Sequence, residues 1–368
     1  MEVMRAAGDR EAAGARVIHM EVGQPGSPAP RAVLAAAGAA LADGRFGYTE
    51  ALGRRELRAR IARYYRDAHG LEVPTERIVV TTGSSAGFNL AFLAAFDPGD
   101  RIAIATPGYP AYRNMLQVLG LEAVEIETRA EDRHAVTPAT IERAHRERRL
   151  AGVLIASPAN PTGTIMLPEA LEALILAADG LGIRFISDEI YHGLVYDGVA
   201  ETALRFTNDA IVINSFSKYY CMTGWRIGWM VLPENLVRPV ERIAQNLYIS
   251  PPDISQRAAL AAFDATEELE AVRAGYAANR ALLLKHLPGL GFDDFYPVDG
   301  AFYVYASVRR YANDSDAFAR RMLMEAGVAA TPGKDFDPRG GHHFMRFSFS
   351  GTTADMMEAM ERLGHWLR

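Results

Sequence analysis

Short apolar runs recur along the chain, and most of them do not alternate with polar positions. Arg77–Thr82 (RIVVTT), Arg101–Ala105 (RIAIA), Gly152–Ala156 (GVLIA), Arg184–Ser187 (RFIS), Ile211–Asn214 (IVIN) and Ile227–Val231 are of this kind. A continuous apolar run of four to six residues fits a strand covered on both faces, as crossover helices cover a parallel sheet. Helix-like stretches fall between them: Ala86–Phe96, one from about Ala111, and Pro168–Ala178. The alternation predicts an α/β fold with a mostly parallel sheet flanked by helices, over residues 40–265.

Beyond that the pattern changes. A long helical stretch, Glu267–Lys285, leads to the apolar runs Ala301–Ala306 (AFYVYA) and Phe344–Phe349 (FMRFSF), with helices near Ser315–Ala326 and at the end. This predicts a smaller α+β domain over 266–368, joined by residues 1–39, which are too few to fold alone. The chain has 368 residues, a length that fits two domains.

Charge narrows the function. With 39 basic and 45 acidic residues the net charge is −6, so no broad basic field draws the chain to nucleic acid. The single cysteine, Cys221, makes neither an internal disulfide nor a Cys-rich zinc cage. No metal site is expected. No apolar run reaches the ~18 residues that would span a bilayer, and the charged N-terminus does not read as a signal peptide. A cytoplasmic enzyme without a membrane partner fits these observations. Only Lys218, Lys285 and Lys334 are lysines, and the other basic residues are arginine. Each lysine therefore stands out.

Several motifs follow the expected strands directly, where α/β sheets gather functional groups. Gly83-Ser84-Ser85-Ala86-Gly87 opens a helix and has three readings. It matches a nucleophile elbow with Ser85 as nucleophile, a helix N-terminus that cradles an anion, or a tight turn that binds nothing. Lys218 follows the run IVIN within Asn214–Lys218 (NSFSK), ringed by aromatics and hydroxyls; removed from water it becomes a nucleophilic amine, and in a loop it is a plain surface lysine. Arg226, between two glycines, joins Ser215 and Ser217 as a possible phosphate holder, or sits in a salt bridge. Asp188, after RFIS, is a carboxylate awaiting a cation or simply a helix cap. Asn160, between two prolines, donates to a ligand oxygen or belongs to a bare turn. Tyr109 stacks on a planar ring or fills an interface. Arg346, alone in an apolar strand, needs an anion whose geometry suits its fork.

Taken together, TGSSAG, PGYPAY, SPANPTG, SDEIY, SFSK, GWRIGW and MRFSF, in that order from about residue 20 to 350, resemble the fold-type I pyridoxal-5′-phosphate enzymes, and within them the class I/II aminotransferases. The resemblance implies that Lys218 forms the internal aldimine and shuttles a proton. It implies that Asp188 pairs with the pyridine nitrogen, and that Asn160 and Tyr191 hydrogen-bond the ring's phenolate oxygen. Tyr109 would stack on the ring, and Ser84, Ser85, Ser215, Ser217 and Arg226 would surround the phosphate. Arg346, with Gly23 of EVGQP and Asn160, would take the substrate carboxylate. Tyr48 would reach the phosphate of the other subunit, which implies a homodimer with shared sites. The family's small-domain loop differs here, where GKDF (333–336) is followed by Asp337, and the segment before EVGQP is short.

The expected function is transfer of an amino group from an L-amino acid to a 2-oxo acid by ping-pong chemistry. A β-lyase on the same cofactor is the alternative, and an α/β-hydrolase using Ser85 is the remote one. A dicarboxylate specialist needs a second arginine aimed at the substrate side chain, and Tyr248–Asp253 (YISPPD) contains none. That points to a neutral, aromatic or broad range of donors. Lys218→Ala is expected to lose turnover and the visible cofactor chromophore while the circular-dichroism spectrum and melting temperature stay near those of the parent. Retained transaminase activity in that variant would contradict the assignment.

Overall fold

The computed structural model describes residues 2–368. Its first strand, β1 (Ile18–His19), is only two residues long. Seven strands follow: β2 (Ile78–Thr81), β3 (Arg101–Thr106), β4 (Glu122–Glu127), β5 (Gly152–Ala156), β6 (Arg184–Asp188), β7 (Ile211–Ser215) and β8 (Gly228–Val231). They form one sheet in the order β2-β8-β7-β6-β5-β3-β4. All neighbours are parallel except β8, which runs antiparallel to both β2 and β7. The expected mostly parallel sheet is therefore present, with strand ends within one or two residues of the apolar runs.

β4 was not anticipated from the pattern. Its sequence, EAVEIE, is half polar because the strand lies at the sheet edge, where one flank meets solvent. The interior strands are apolar through their middles, with polar residues mainly at their ends, for the opposite reason. Along β7, Ile211 and Ile213 pack with Phe88, Phe92 and Val240 on one face, and Val212 packs with Tyr65, Phe185 and Trp229 on the other. Successive side chains point to opposite faces, and both faces carry helices.

A second sheet joins β9 (Tyr303–Ser307), β11 (Thr331–Pro332) and β12 (Phe344–Ser348) in the order β11-β12-β9, all antiparallel. Between β9 and β11, β10 (Val328–Ala329) pairs in parallel with β1. This ties the N-terminal stretch to the C-terminal third of the chain. β9 starts two residues later than the apolar run because Ala301 takes a left-handed backbone, φ 56°. The helix expected over 315–326 is α-helical to Arg321, then widens to a π-turn over Met322–Ala326 that Gly327 ends at φ 68°.

Helix α1 (Glu2–Ala12) lies against this smaller body through Ala7 and Leu323. Helix α2 (Arg31–Asp43) does not: its Val33 and Ala37 pack in the same cluster as Leu57 and Ile61, on the large sheet. The division expected at residue 39 therefore falls earlier in space, because the apolar stripe of α2 finds its partner in the helix Asp253–Ala262 and its neighbours. Helices α3 (Arg55–His69), α4 (Gly83–Ala95) and α5 (Pro110–Val118) complete the elements that bear on the site.

Phe216 anchors the loop after β7. It is fully buried, with ring centroids 5.0 Å from Trp229, 5.1 Å from Tyr220 and 5.3 Å from Phe263. Phe216→Ala is expected to cost about 3–5 kcal/mol of stability, read as a lower denaturant midpoint with an unchanged slope.

Candidate active site

One cavity of about 1110 Å³ opens beside the carboxyl ends of β5, β6 and β7. Ser84, Ser85, Tyr109, Asn160, Tyr191 and Lys218 face it, as do Ser217, Arg226, Gly23 and Arg346. The parallel strands bring this about: three loops that leave the same sheet edge must meet there.

Lys218 sits two residues after Phe216. Its Nζ donates to the Gly23 carbonyl at 2.5 Å and lies 5.8 Å from the centre of the Tyr191 ring. Burial lowers its pKa to about 8, and the charges of Arg346 and Arg226 push the same way while Asp188 opposes them. A neutral amine is thus available close to physiological pH.

Asp188 ends β6 and is 2% exposed. One oxygen accepts from the Ile190 amide at 3.1 Å, and the other accepts from the Tyr112 hydroxyl. It has no cationic partner among the described residues. Burial pushes its carboxyl up to about 7. A cation placed against it would restore the ionised form, because an opposite charge close by favours it.

The anion side of the site is also built. Helix α4 begins at Gly83 with no side-chain cap on its first turn, so its leading amides remain open. The Arg226 guanidinium lies directly over Gly83, where any β-carbon would collide with it. Arg226 is held there by a left-handed backbone, φ 49°, and by its donation to the Thr223 carbonyl at 2.9 Å. Ser215 stands one layer back from the cavity: its hydroxyl bonds Ser217 Oγ at 2.9 Å and the Ile227 carbonyl at 3.3 Å.

Arg346 enters from β12. It donates to Asn160 Oδ1 at 2.9 Å, to the Glu21 carbonyl at 2.6 Å and to Thr331 Oγ1 at 3.2 Å. Its guanidinium lies between the rings of Tyr303, at 4.3 Å, and Phe336, at 4.8 Å. Its Nε is buried without a partner among the described residues. A planar anion would satisfy it. Because Arg346 occupies Asn160 Oδ1, the Asn160 amide presents its NH₂ group elsewhere in the cavity.

Three participants escape a reading by motif. Tyr112 lies three residues after Tyr109, close enough on one helix for their rings to meet edge-on at 5.3 Å. The second tyrosine of PGYPAY was the available signal. Tyr303 is hidden in an apolar strand run and gives no signal. Phe336 lies in the loop whose sequence departs from the family pattern. Tyr48 is 83% exposed and does not face this cavity within one subunit.

The groups gathered here fit the parts of a single flat, phosphorylated pyridine aldehyde: a carboxylate for the ring nitrogen, an amine for the aldehyde, amides and an arginine for the phosphate, with Arg346 Nε left over for a second anion. The fold and this cavity define a pyridoxal-phosphate-dependent transferase of fold type I. The chain belongs to the class I and II aminotransferases, whose family model matches residues 15–363. It is 48% identical to a valine–pyruvate aminotransferase of Mycobacterium tuberculosis, over 100% of this chain and 95% of the relative. A (5-formylfuran-3-yl)methyl phosphate transaminase of Methanocaldococcus jannaschii is 33% identical, over 100% and 96%. Among solved structures, an aminotransferase from M. tuberculosis superposes with a TM-score of 0.97 at 48% identity, covering 100% of this chain and 95% of that one. The aspartate aminotransferase of Thermus thermophilus with maleate gives 0.93 at 33%, covering 99% and 95%. The protein is an amino-acid aminotransferase, its cofactor is pyridoxal 5′-phosphate, and its substrates are amino acids and 2-oxo acids. No described helix is long and apolar enough to cross a membrane, and no described cluster of three His, Cys, Asp or Glu suits a metal.

The lowered basicity of Lys218 has a measurable consequence. The free-base amine is the nucleophile, and its fraction rises with pH through the pKa. The rate at which cofactor-free protein takes up pyridoxal phosphate, followed by growth of the visible band, is expected to reach half its maximum near pH 8. A half-maximum above pH 10 would mean that the amine is fully solvated.

Proposed function

We propose that this aminotransferase takes neutral, mainly aliphatic L-amino acids as donors and a small 2-oxo acid such as pyruvate as acceptor, and that it does so as a cytoplasmic homodimer. The observation that carries the substrate class is the pairing of cations at the cavity mouth. Arg113 is bound to Glu125 at 2.7 Å, and Lys334 to Asp314 at 2.8 Å and to Asp316 at 3.0 Å. Arg5 and Arg320 are exposed at the rim, where water and salt screen them. A second substrate carboxylate finds no committed, desolvated cation. The inner wall offers Val22, Ile190, Phe336 and the face of Tyr303 instead. The valine–pyruvate aminotransferase at 48% identity supports the same reading.

When bound, pyridoxal phosphate supplies the electron sink that makes loss of the substrate Cα proton feasible. The residues have the following roles in this proposal. Asp188, aligned by Tyr112 and the Ile190 amide, keeps the ring nitrogen protonated. Asn160 and Tyr191 donate to the ring oxygen, and Tyr109 covers the ring face. The first turn of α4 at Ser84 and Ser85, with Ser217 and Arg226, holds the phosphate, and Ser215 fixes Ser217. Arg346 takes the substrate carboxylate with its unpartnered Nε, beside Gly23. Lys218 moves the proton away from Cα, and its lowered basicity suits that task near neutral pH.

The dimer is supported by an exposed apolar patch. Leu41, Phe46, Tyr48, Leu247 and Ile249 are all exposed, and the Thr49 amide donates to Ser250 Oγ at 3.2 Å, which brings the two stretches together. A second copy seated there would bring Tyr48 to the neighbouring phosphate site. The cytoplasmic assignment is supported by the single, buried cysteine, which suits a reducing compartment.

The test is the half-reaction. With valine, alanine or another neutral donor and no acceptor, the yellow band of the loaded enzyme is expected to convert to the pyridoxamine form. Aspartate and glutamate are expected to convert it at least tenfold more slowly at equal concentration. Equal rates for aspartate would overturn the neutral-donor reading. A persistent band with accumulating pyruvate and ammonia from a β-substituted amino acid would point to a lyase.

A further inference from the structure

Tyr303 touches three working groups at once. It begins β9, in the smaller sheet, and is fully buried. Its hydroxyl lies 2.7 Å from the hydroxyl of Tyr191, which follows β6 in the large domain. Its ring face carries the Arg346 guanidinium at 4.3 Å. Its hydroxyl also occupies the space that a β-carbon on Gly23 would need, against the backbone whose carbonyl receives Lys218.

Counting protons gives this contact a direction. Each of the two hydroxyls has one proton, and among the described residues neither has another hydrogen-bond partner. Either can donate to the other. If Tyr191 donates to Tyr303, its proton is spent and it has none for the cofactor's ring oxygen. If Tyr303 donates, Tyr191 keeps its proton for the ring oxygen, and accepting a hydrogen bond makes it a stronger donor. Both groups lie away from water, where such polarisation is strongest, and Phe302 packs edge-on against both rings, at 5.6 Å and 4.9 Å.

We propose that Tyr303 is a positioning residue of the transamination site: it donates its hydroxyl proton to Tyr191, so that Tyr191 presents its own to the cofactor's ring oxygen, while its ring supports Arg346. It does this without touching the cofactor's ring oxygen itself. The small domain thereby adjusts the electronic state of a cofactor that the large domain binds. The proposal rests on the role given above to Tyr191.

Tyr303→Phe removes the hydroxyl and keeps the ring. The readout is the spectrophotometric pKa of the visible band of the loaded enzyme, titrated without substrate. A donor to the ring oxygen favours its ionised form and so lowers that pKa. Losing the support for the donor is expected to raise it by about half a unit to one unit, the size of one hydrogen bond. KM for the amino donor is expected to change less than twofold, because the ring under Arg346 remains. Tyr191→Phe is expected to raise the same pKa by at least as much. The double variant is expected to match Tyr191→Phe alone, since Tyr303 acts through Tyr191. Tyr303→Leu removes the ring as well and is expected to raise KM about tenfold or more. A pKa that falls in Tyr303→Phe would mean that the bond runs the other way and would overturn the proposal. So would an unchanged value while Tyr191→Phe shifts it. If neither variant shifts it, the Tyr191 assignment fails and takes the proposal with it.

Discussion

A carboxylate kept out of water at the end of a central strand is the constraint on which this molecule depends. Asp188 is expensive to bury, and only a cation or good hydrogen bonds can offset the cost. The protein supplies two donors, the Tyr112 hydroxyl and the Ile190 amide, and in the proposed function the cation would be the cofactor's ring nitrogen. That arrangement needs a sheet strong enough to hold a high-energy group in place. The β5–β6–β7 core, covered on both faces, is such a sheet. The aromatic cluster around Phe216 and Trp229 fixes the next loop, and with it Lys218.

The second sheet has a different task. It brings β12 and β9 over the large sheet's edge, so that Arg346 and Tyr303 face the lysine from the opposite wall. Arg346 is held by two carbonyl or hydroxyl oxygens, an amide oxygen and two rings, and none of these neutralises its charge. The charge is therefore available to a substrate carboxylate, and it also helps to keep the Lys218 amine neutral. A substrate anion bound at Arg346 would remove part of that effect. In the proposed function, substrate binding and lysine basicity would be coupled through Arg346.

Much of this was legible along the chain. The apolar runs set the buried strands, since a strand covered on both faces favours apolar residues on both. The loops after those runs held the chemistry, because a parallel sheet gathers its loops at one edge. Lys218 stood out as one of three lysines, Asp188 as a carboxylate ending an apolar run, Asn160 by its flanking prolines and Arg346 as a lone charge in an apolar strand. The edge strand β4 escaped because its half-polar sequence resembles a loop. The boundary expected at residue 39 cuts the helix Arg31–Asp43, whose Val33 and Ala37 pack with the large-sheet cluster, because an apolar stripe does not name its partner.

The sequence by itself determined the local alternation, the strand-end loops and the residue types that pyridoxal chemistry requires. Those are consequences of period, burial and functional-group chemistry, and they can be read one segment at a time. Tertiary structure alone decided how distant groups meet: Tyr112 on Asp188, Tyr303 between Tyr191 and Arg346, and Lys334 against Asp314 and Asp316 at the mouth. A tyrosine within an apolar strand reads as core, and a lysine in a loop reads as surface. Their roles depend on which atoms lie within about 3 Å of them, and that distance is set by the packing of elements far apart in the chain.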